Sequence, residues 1–305
     1  MLHIAINNET NSLRCVILGR ADHSGPNPNI EDAYDLKSRH HIHKGTYPKE
    51  SDLTSQLDAM RHALESQGVQ VLRPELVKDC NQIFARDMGF VIDDYFFLSN
   101  ILPARANELL AIDKIINQIQ IDRVVYCPEE VHIEGGDVIV HGDHVFVGYY
   151  RQEDYKDMIT ARTNHAAFTF LQEFFPNKNV RGLELVKSKT DAYANVLHLD
   201  CCFQPVGKNK AIVYPDGFLN SDDYQWIKDF IGEKNLFILD TKGLYDMHSN
   251  VLSIRPDLVI SDPSFEDLNQ WLTANGIQVV PVAYHEVSKQ GGLFRCTTLP
   301  LVRKP

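Results

Sequence analysis

The sequence has no run of apolar residues long enough to cross a bilayer, and its opening, MLHIAINNETNSL, lacks a charged stretch followed by an apolar one. A spanning helix needs about 20 such residues, and a secretory leader needs the two-part pattern. The expected location is the cytoplasm, with no membrane partner. Positive charge is also scarce: 30 Lys and Arg stand against 41 Asp and Glu, for a formal net charge of −11. Nucleic acids and anionic lipid surfaces call for the opposite excess, so nucleic acid is not an expected partner, whereas a small cation is compatible. The six cysteines, Cys15, Cys80, Cys127, Cys201, Cys202 and Cys296, include no CxxC pair. They read as reduced thiols and not as a disulfide frame or zinc site. His40, His41 and His43 cluster in a polar stretch and read as solvent-facing, so no metal or other cofactor is expected.

What the chain does contain is a repeat. No linker or low-complexity run divides its 305 residues, 44% of which are hydrophobic, and a single domain over 1–305 is expected. The repeating unit is two short strands, a helix and another strand. One copy runs from Ile133: strands at 137–140 and 144–148 around the turn His141-Gly142-Asp143, a helix over 163–175 and a strand over 180–186. Similar copies begin at His198, at Ser249 and near Arg86, the last with a helix predicted from Arg105 to Ile119. A fifth is split: LRCVILG, a helix from Ser51 to Gln67 and VQVLRP open the chain, and a strand after Cys296 closes it. The segment Arg20 to Pro48 is polar and aperiodic and reads as a loop over a pocket. Repeats of this length point to a stacked or radial α/β architecture. Plain doubly wound alternation is disfavoured, because paired strands precede each helix.

Polar residues recur at the head of each unit: Asp87 in FARDMGF, Glu134 and Asp137 in HIEGGDV, His198 and Asp200 in HLDCCF, Asn250 in HSNVLS and Cys296 in GLFRCTTLP. Charges beside buried strands need a partner or a task. If the unit heads meet, carboxylates, an imidazole, an amide and a thiol converge. Taken alone, Cys296 could be a small buried hydrophobe and His198 a hydrogen-bonded core histidine. As a set they suit a guanidinium, which is planar, charged and rich in N–H donors. A thiolate suits its reluctant carbon, and an imidazole can protonate the leaving amine and then activate water. Cys201 and Cys202 read as packing residues, and Asp137 as a structural cap on its turn.

HIEGGDV, FVG, ART-N, HLDCCF, SNVL and GGLFRCTTLPL together resemble the guanidino-group modifying enzymes, which include arginine deiminases, dimethylarginine dimethylaminohydrolases and amidinotransferases. HLDCCF leans towards deiminases and amidinotransferases, RTN and GGLFRC towards the dimethylarginine enzymes. The resemblance implies a five-bladed ββαβ propeller, the pentein fold, with pseudo-fivefold symmetry and no metal. It implies Cys296 as nucleophile, His198 as general acid/base and Glu134 against the guanidinium or behind His198. It further implies Asp87 and Asp200 on the guanidinium nitrogens, Arg105 and Arg162 on a substrate α-carboxylate, and Asn250 in the pocket. The expected activity is hydrolysis of a C–N bond in an arginine-like substrate through a thiouronium adduct. The alternatives are transfer of the amidino group to an amine, or a non-catalytic propeller that binds arginine-like ligands. A homo-oligomer is compatible with all of these.

Overall fold

A computed structural model describes residues 1–305. The chain opens with β1 (Ser12–Leu18), followed by α1 (Leu36–His43), α2 (Glu50–Ser66) and β2 (Gln70–Leu72). Leu53, Leu57, Met60 and Leu64 form one buried stripe along α2, the spacing that makes a surface helix amphipathic. The next unit is β3 (Gly89–Ile92), β4 (Tyr95–Leu98), the short α3 (Asp113–Ile116) and β5 (Val124–Tyr126). It is followed by β6 (Val138–His141), β7 (His144–Tyr149), α4 (His165–Phe174) and β8 (Asn179–Glu184). Then come β9 (Phe203–Val206), β10 (Lys210–Val213), α5 (Ser221–Ile231) and β11 (Leu236–Ile238). After α6 (Thr241–Tyr245), the last internal unit is β12 (Leu252–Arg255), β13 (Leu258–Ser261), α7 (Glu266–Ala274) and β14 (Gln278–Pro281). The chain ends with α8 (His285–Ser288) and β15 (Thr298–Lys304).

These strands make five three-stranded sheets, ordered β3-β4-β5, β6-β7-β8, β9-β10-β11, β12-β13-β14 and β15-β1-β2. In each sheet the first pair is antiparallel and the second parallel. A hairpin suffices for the first pairing, whereas the second needs a crossover, which the helical segment supplies. The fifth sheet joins the two ends of the chain, with β15 antiparallel to β1, as the split unit predicts. The fold is α/β. Strand β1 shows how the sheets are covered: Val16 and Leu18 face one apolar core, Cys15 and Ile17 another, as a period of two requires.

Two segments differ from the sequence reading. Residues 103–112 form a 3-10 helix, and only Asp113–Ile116 is α-helical, where one α-helix was predicted from Arg105 to Ile119. Arg105, Glu108 and Ala111 are buried in it. That spacing of three aligns side chains on a 3-10 helix but not on an α-helix. The predicted loop over 20–48 contains α1, whose N-cap Asp35 accepts from Ser38 N–H at 2.8 Å.

Short 3-10 turns at Ala85–Met88, Gly135–Asp137 and Leu199–Cys201 immediately precede β3, β6 and (through Cys202) β9. Asp87 lies in the first, while Glu134 and His198 are the residues before the other two. Asn250 stands two residues before β12, and Cys296 two before β15. The short stretch before the first strand of each of the five units therefore carries the polar side chains.

Candidate active site

Those unit heads meet. Glu134 and His198, 64 positions apart, are joined by a 2.8 Å hydrogen bond between Glu134 Oε2 and His198 Nε2. The other ring nitrogen, Nδ1, lies 3.9 Å from Asp87 Oδ1. Cys296 Sγ accepts from Asn250 Nδ2 at 3.2 Å, and Cys296 N–H donates to Asn250 Oδ1 at 3.1 Å. Asp200 Oδ2 lies 3.7 Å from the same sulfur. The close approach depends on small residues: a Cβ on Gly136 would fall 2.8 Å from the His198 ring, and one on Gly135 2.3 Å from Arg86 O. Asp137 Oδ1 accepts from Leu199 N–H at 2.8 Å, so this carboxylate braces the segment after His198 and not its own turn.

A cavity of about 350 Å³ opens over this cluster. Asp87, Arg105, Arg162, His198 and Cys296 line it, and Tyr34, Asp35 and Ser38 reach it from the segment leading into α1. Glu134, Asp200 and Asn250 do not line it; they stand behind His198 and Cys296 and hold them. The expected pocket asparagine thus clamps the thiol.

The two candidate carboxylate-binding arginines are engaged internally. Arg105 donates to Glu108 through Nε and Nη2 at 2.7 and 2.8 Å, and to Asp87 Oδ2 through Nη1 at 2.7 Å. Arg162 donates from Nη1 to Glu134 at 3.0 and 3.2 Å. Among the residues that line the cavity, one acceptor is left over: Asp87 Oδ1 is buried and has no hydrogen-bond partner. Buried polar atoms are rarely left so.

A family model described as N,N dimethylarginine dimethylhydrolase, eukaryotic, matches residues 29–303. The chain belongs to that family. Among relatives, it is 29% identical to an uncharacterised protein, YkgA, of Bacillus subtilis over 300 residues, covering 97% of this chain and 94% of the other. It is 26% identical over 273 residues to an arginine deiminase of Bacillus cereus, covering 73% of this chain and 62% of the deiminase. Among solved structures, the N-terminal domain of ArgZ, a cyanobacterial arginine dihydrolase, superimposes with a TM-score of 0.78 at 18% identity, covering 96% of this chain and 98% of the other. The inosamine-phosphate amidinotransferase StrB1 of Streptomyces griseus gives 0.75 at 17%, covering 99% and 97%. At such identities the likeness is one of fold. The chain is a member of the guanidino-group modifying superfamily, whose members among these relatives include hydrolases and amidinotransferases.

Electrostatics in this dimethylarginine dimethylhydrolase family member follow from burial and close charges. Burial, then the negative charges of Asp200 and Asp87, hold the Cys296 thiol well above its ordinary range. Burial works against a charged His198, but Asp87, Asp137 and the Glu134 hydrogen bond outweigh it and raise the ring to about 9. Burial likewise opposes an ionised Glu134, yet Arg162, the His198 hydrogen bond and Arg105 hold its carboxyl well below the usual range. Asp87, Glu134 and His198 could each offer one atom to a metal within 4.8 Å of the others. Arg105 and Arg162 already neutralise these carboxylates, so a divalent ion would sit beside two guanidinia, a poor fit.

Three participants stand outside the motif positions named from the sequence, and two of them, Glu108 and Glu9, sequence reasoning missed. Glu108 follows Arg105 by three positions, a visible ion-pair spacing. Arg295, next to the thiol, donates to Asp200 at 2.8 Å and to Glu9 at 3.0 Å. Glu9 lies in the opening segment outside any motif, so nothing in the sequence marked it.

Proposed function

We propose that this chain is a cysteine-dependent hydrolase that cleaves a C–N bond of an arginine-like guanidinium, dimethylarginine and arginine being the first candidates. The observation that carries the reading is the buried, unpartnered Asp87 Oδ1, in a cavity that Cys296 and His198 also line. A guanidinium N–H is a donor of the right kind for it, and the negative charge of Asp200, behind the sulfur, favours a cation in the same place.

The charges suggest an order of events. The thiol is neutral while Asp87 and Asp200 repel its anion. A guanidinium between them offsets that repulsion, and the thiol loses its proton to solvent. The thiolate attacks the guanidinium carbon. His198, charged and held through Nε2 by Glu134, donates the Nδ1 proton to the leaving amine, and the C–N bond breaks to leave an S-linked thiouronium. The now neutral ring takes a proton from water, hydroxide adds to the same carbon, and the sulfur departs, taking up the O–H proton as the urea-type carbonyl forms. Asn250 keeps the sulfur aimed, and Arg295 holds Asp200 in place beside it.

In this reading the five sheets are the blades of one pentein propeller over 1–305, the unit heads meeting at its axis. The protein acts in the cytoplasm. The test is a product screen by mass spectrometry with arginine, methylated arginines and agmatine, with and without glycine or ornithine as acceptor. A urea-type product plus ammonia or methylamine is expected. An amidino group found on the acceptor would mean a transferase, and no turnover of any guanidine would leave a binding protein.

A further inference from the structure

Arg162 resembles a ligand for a substrate α-carboxylate, yet every nitrogen of its guanidinium is engaged inside the protein. Nε donates to Ile159 O at 2.6 Å, Nη1 to both Glu134 oxygens at 3.0 and 3.2 Å, and Nη2 to Tyr34 O at 2.7 Å. It is among the largest fully buried side chains of the protein. Two of these partners, the Tyr34 carbonyl and the Glu134 carboxylate, belong to different parts of the site. Tyr34 lies in the segment that covers the cavity just before α1, whereas Glu134 lies beneath and binds His198 Nε2.

We propose that Arg162 is a positioning residue that ties the seating of the covering segment 33–43 to the orientation and charge of His198, and that it does not bind the substrate carboxylate. The inference rests on the reading of His198 as general acid/base. One rigid, planar cation carries the Tyr34 carbonyl on one arm and the partner of the imidazole on another. When the covering segment seats, Arg162 is fixed, and with it Glu134 and the ring. The far side of α1 has its own anchor: Lys37 Nζ donates to Tyr245 O at 2.6 Å and sits 4.7 Å over the Tyr245 ring. Hydrogen bonds with distant parts of the chain thus hold the segment at two points, and only the Arg162 point leads to the chemistry.

Arg162 has a second consequence. It shares Glu134 Oε2 with the imidazole. The charged or titratable groups that face His198 are Asp87, Asp137, Glu134 and Cys296, with Arg105 3.6 Å from Glu134 on the other side. Without Arg162, Glu134 acts on the ring with less competition, so His198 keeps its proton to higher pH and gives it up less readily to the leaving amine.

The test compares wild type with Arg162→Gln and Arg162→Lys in the full chain. For Arg162→Gln, kcat should fall about 100-fold, the usual cost of a misplaced catalytic group. The factor should be the same for arginine and for agmatine, which lacks the carboxylate, with KM little changed for either. The His198 ring titration followed by NMR should move to higher pH, and amide exchange at Tyr34 to Leu36 should quicken. Arg162→Lys keeps a cation beside Glu134 but has one arm, so it should restore the titration and leave exchange fast; it also serves if the Gln variant does not fold. The proposal is overturned if the loss appears as a raised KM for arginine alone, or if titration and exchange stay at wild-type values. Those two readings need no substrate, so absence of turnover on every guanidine would count against the proposed function and leave the coupling still decided.

Discussion

Asp200 Oδ2 lies 3.7 Å from Cys296 Sγ, so the thiol must ionise against a neighbouring carboxylate. The arrangement suppresses the thiolate until a cation arrives. Cys296 should therefore be a sluggish nucleophile towards neutral alkylating agents at pH 7, and a guanidine ligand should quicken its alkylation. Mass spectrometry of the labelled peptide, with Cys296→Ser as the blank, reads this directly. A thiol that alkylates as fast without the guanidine as with it contradicts the ordering of events. Cys296→Ser itself should have no turnover above background, since a serine hydroxyl without a paired base is not ionised at neutral pH.

His198 links folding to pH. Its ring is raised to about 9 from an ordinary value near 6.5, so the folded protein holds a proton the unfolded chain releases. This stabilisation is complete below about pH 6.5 and is lost as pH rises towards 9. Denaturant unfolding at pH 6, 7.5 and 8.5 should show wild type losing stability more steeply than His198→Gln over that window. Parallel pH profiles for the two proteins would show that the ring is not held in its charged form.

Activity should survive exhaustive dialysis against EDTA, because thiol, imidazole and carboxylates account for every proposed step. Loss of activity restored by a divalent ion would redirect attention to Asp87, Glu134 and His198, whose ligand atoms lie within 4.8 Å of one another.

Much of this molecule was legible in its sequence, for physical reasons. The hairpins announce themselves because β-branched, apolar stretches such as VIVH and HVFVGY leave few alternatives to a doubly covered strand. The unit heads could be found because charge beside such strands is costly without a purpose. What stayed hidden depends on tertiary contact. α1 has only eight residues, most of them polar, and is held by its Asp35 cap and by Lys37 on Tyr245, none of which periodicity reveals. The stretch after Pro103 carries helix-forming residues, but burial of Arg105 and Glu108 against Asp87 selects the tighter coil. That Arg105 and Arg162 would be spent on internal carboxylates could not be seen either, since Glu108, Asp87 and Glu134 compete for them only once the chain has folded.

Asp87 and Asp200 are proposed to flank one cation, but their surroundings predict different behaviour on substitution. Asp87 pairs with Arg105, which keeps both hydrogen bonds to Glu108 if Asp87 is neutralised. Asp200 pairs with Arg295 in a buried group that also contains Arg86, Arg303 and a single further carboxylate, Glu9. Asp87→Asn should therefore lower kcat/KM with little loss of stability, the effect on transition-state binding being about 2–5 kcal/mol, as for other truncated charge pairs. It should also lower the pH at which His198 titrates, because Asp87 is the leading charge that raises it. Asp200→Asn should cost as much in activity and, in addition, destabilise the fold by about 3 kcal/mol, because three guanidinia then face Glu9 alone. The double variant should be less than additive in activity, since both carboxylates serve one ligand. Asp143, exposed in the turn between β6 and β7, is the control and should tolerate Asn. Thermal unfolding and steady-state kinetics on the four proteins separate the cases. If Asp87→Asn turns over substrate as the Asp143 control does, the unpartnered oxygen is not where the guanidinium binds. If its chief effect is unfolding, the carboxylate is there for Arg105.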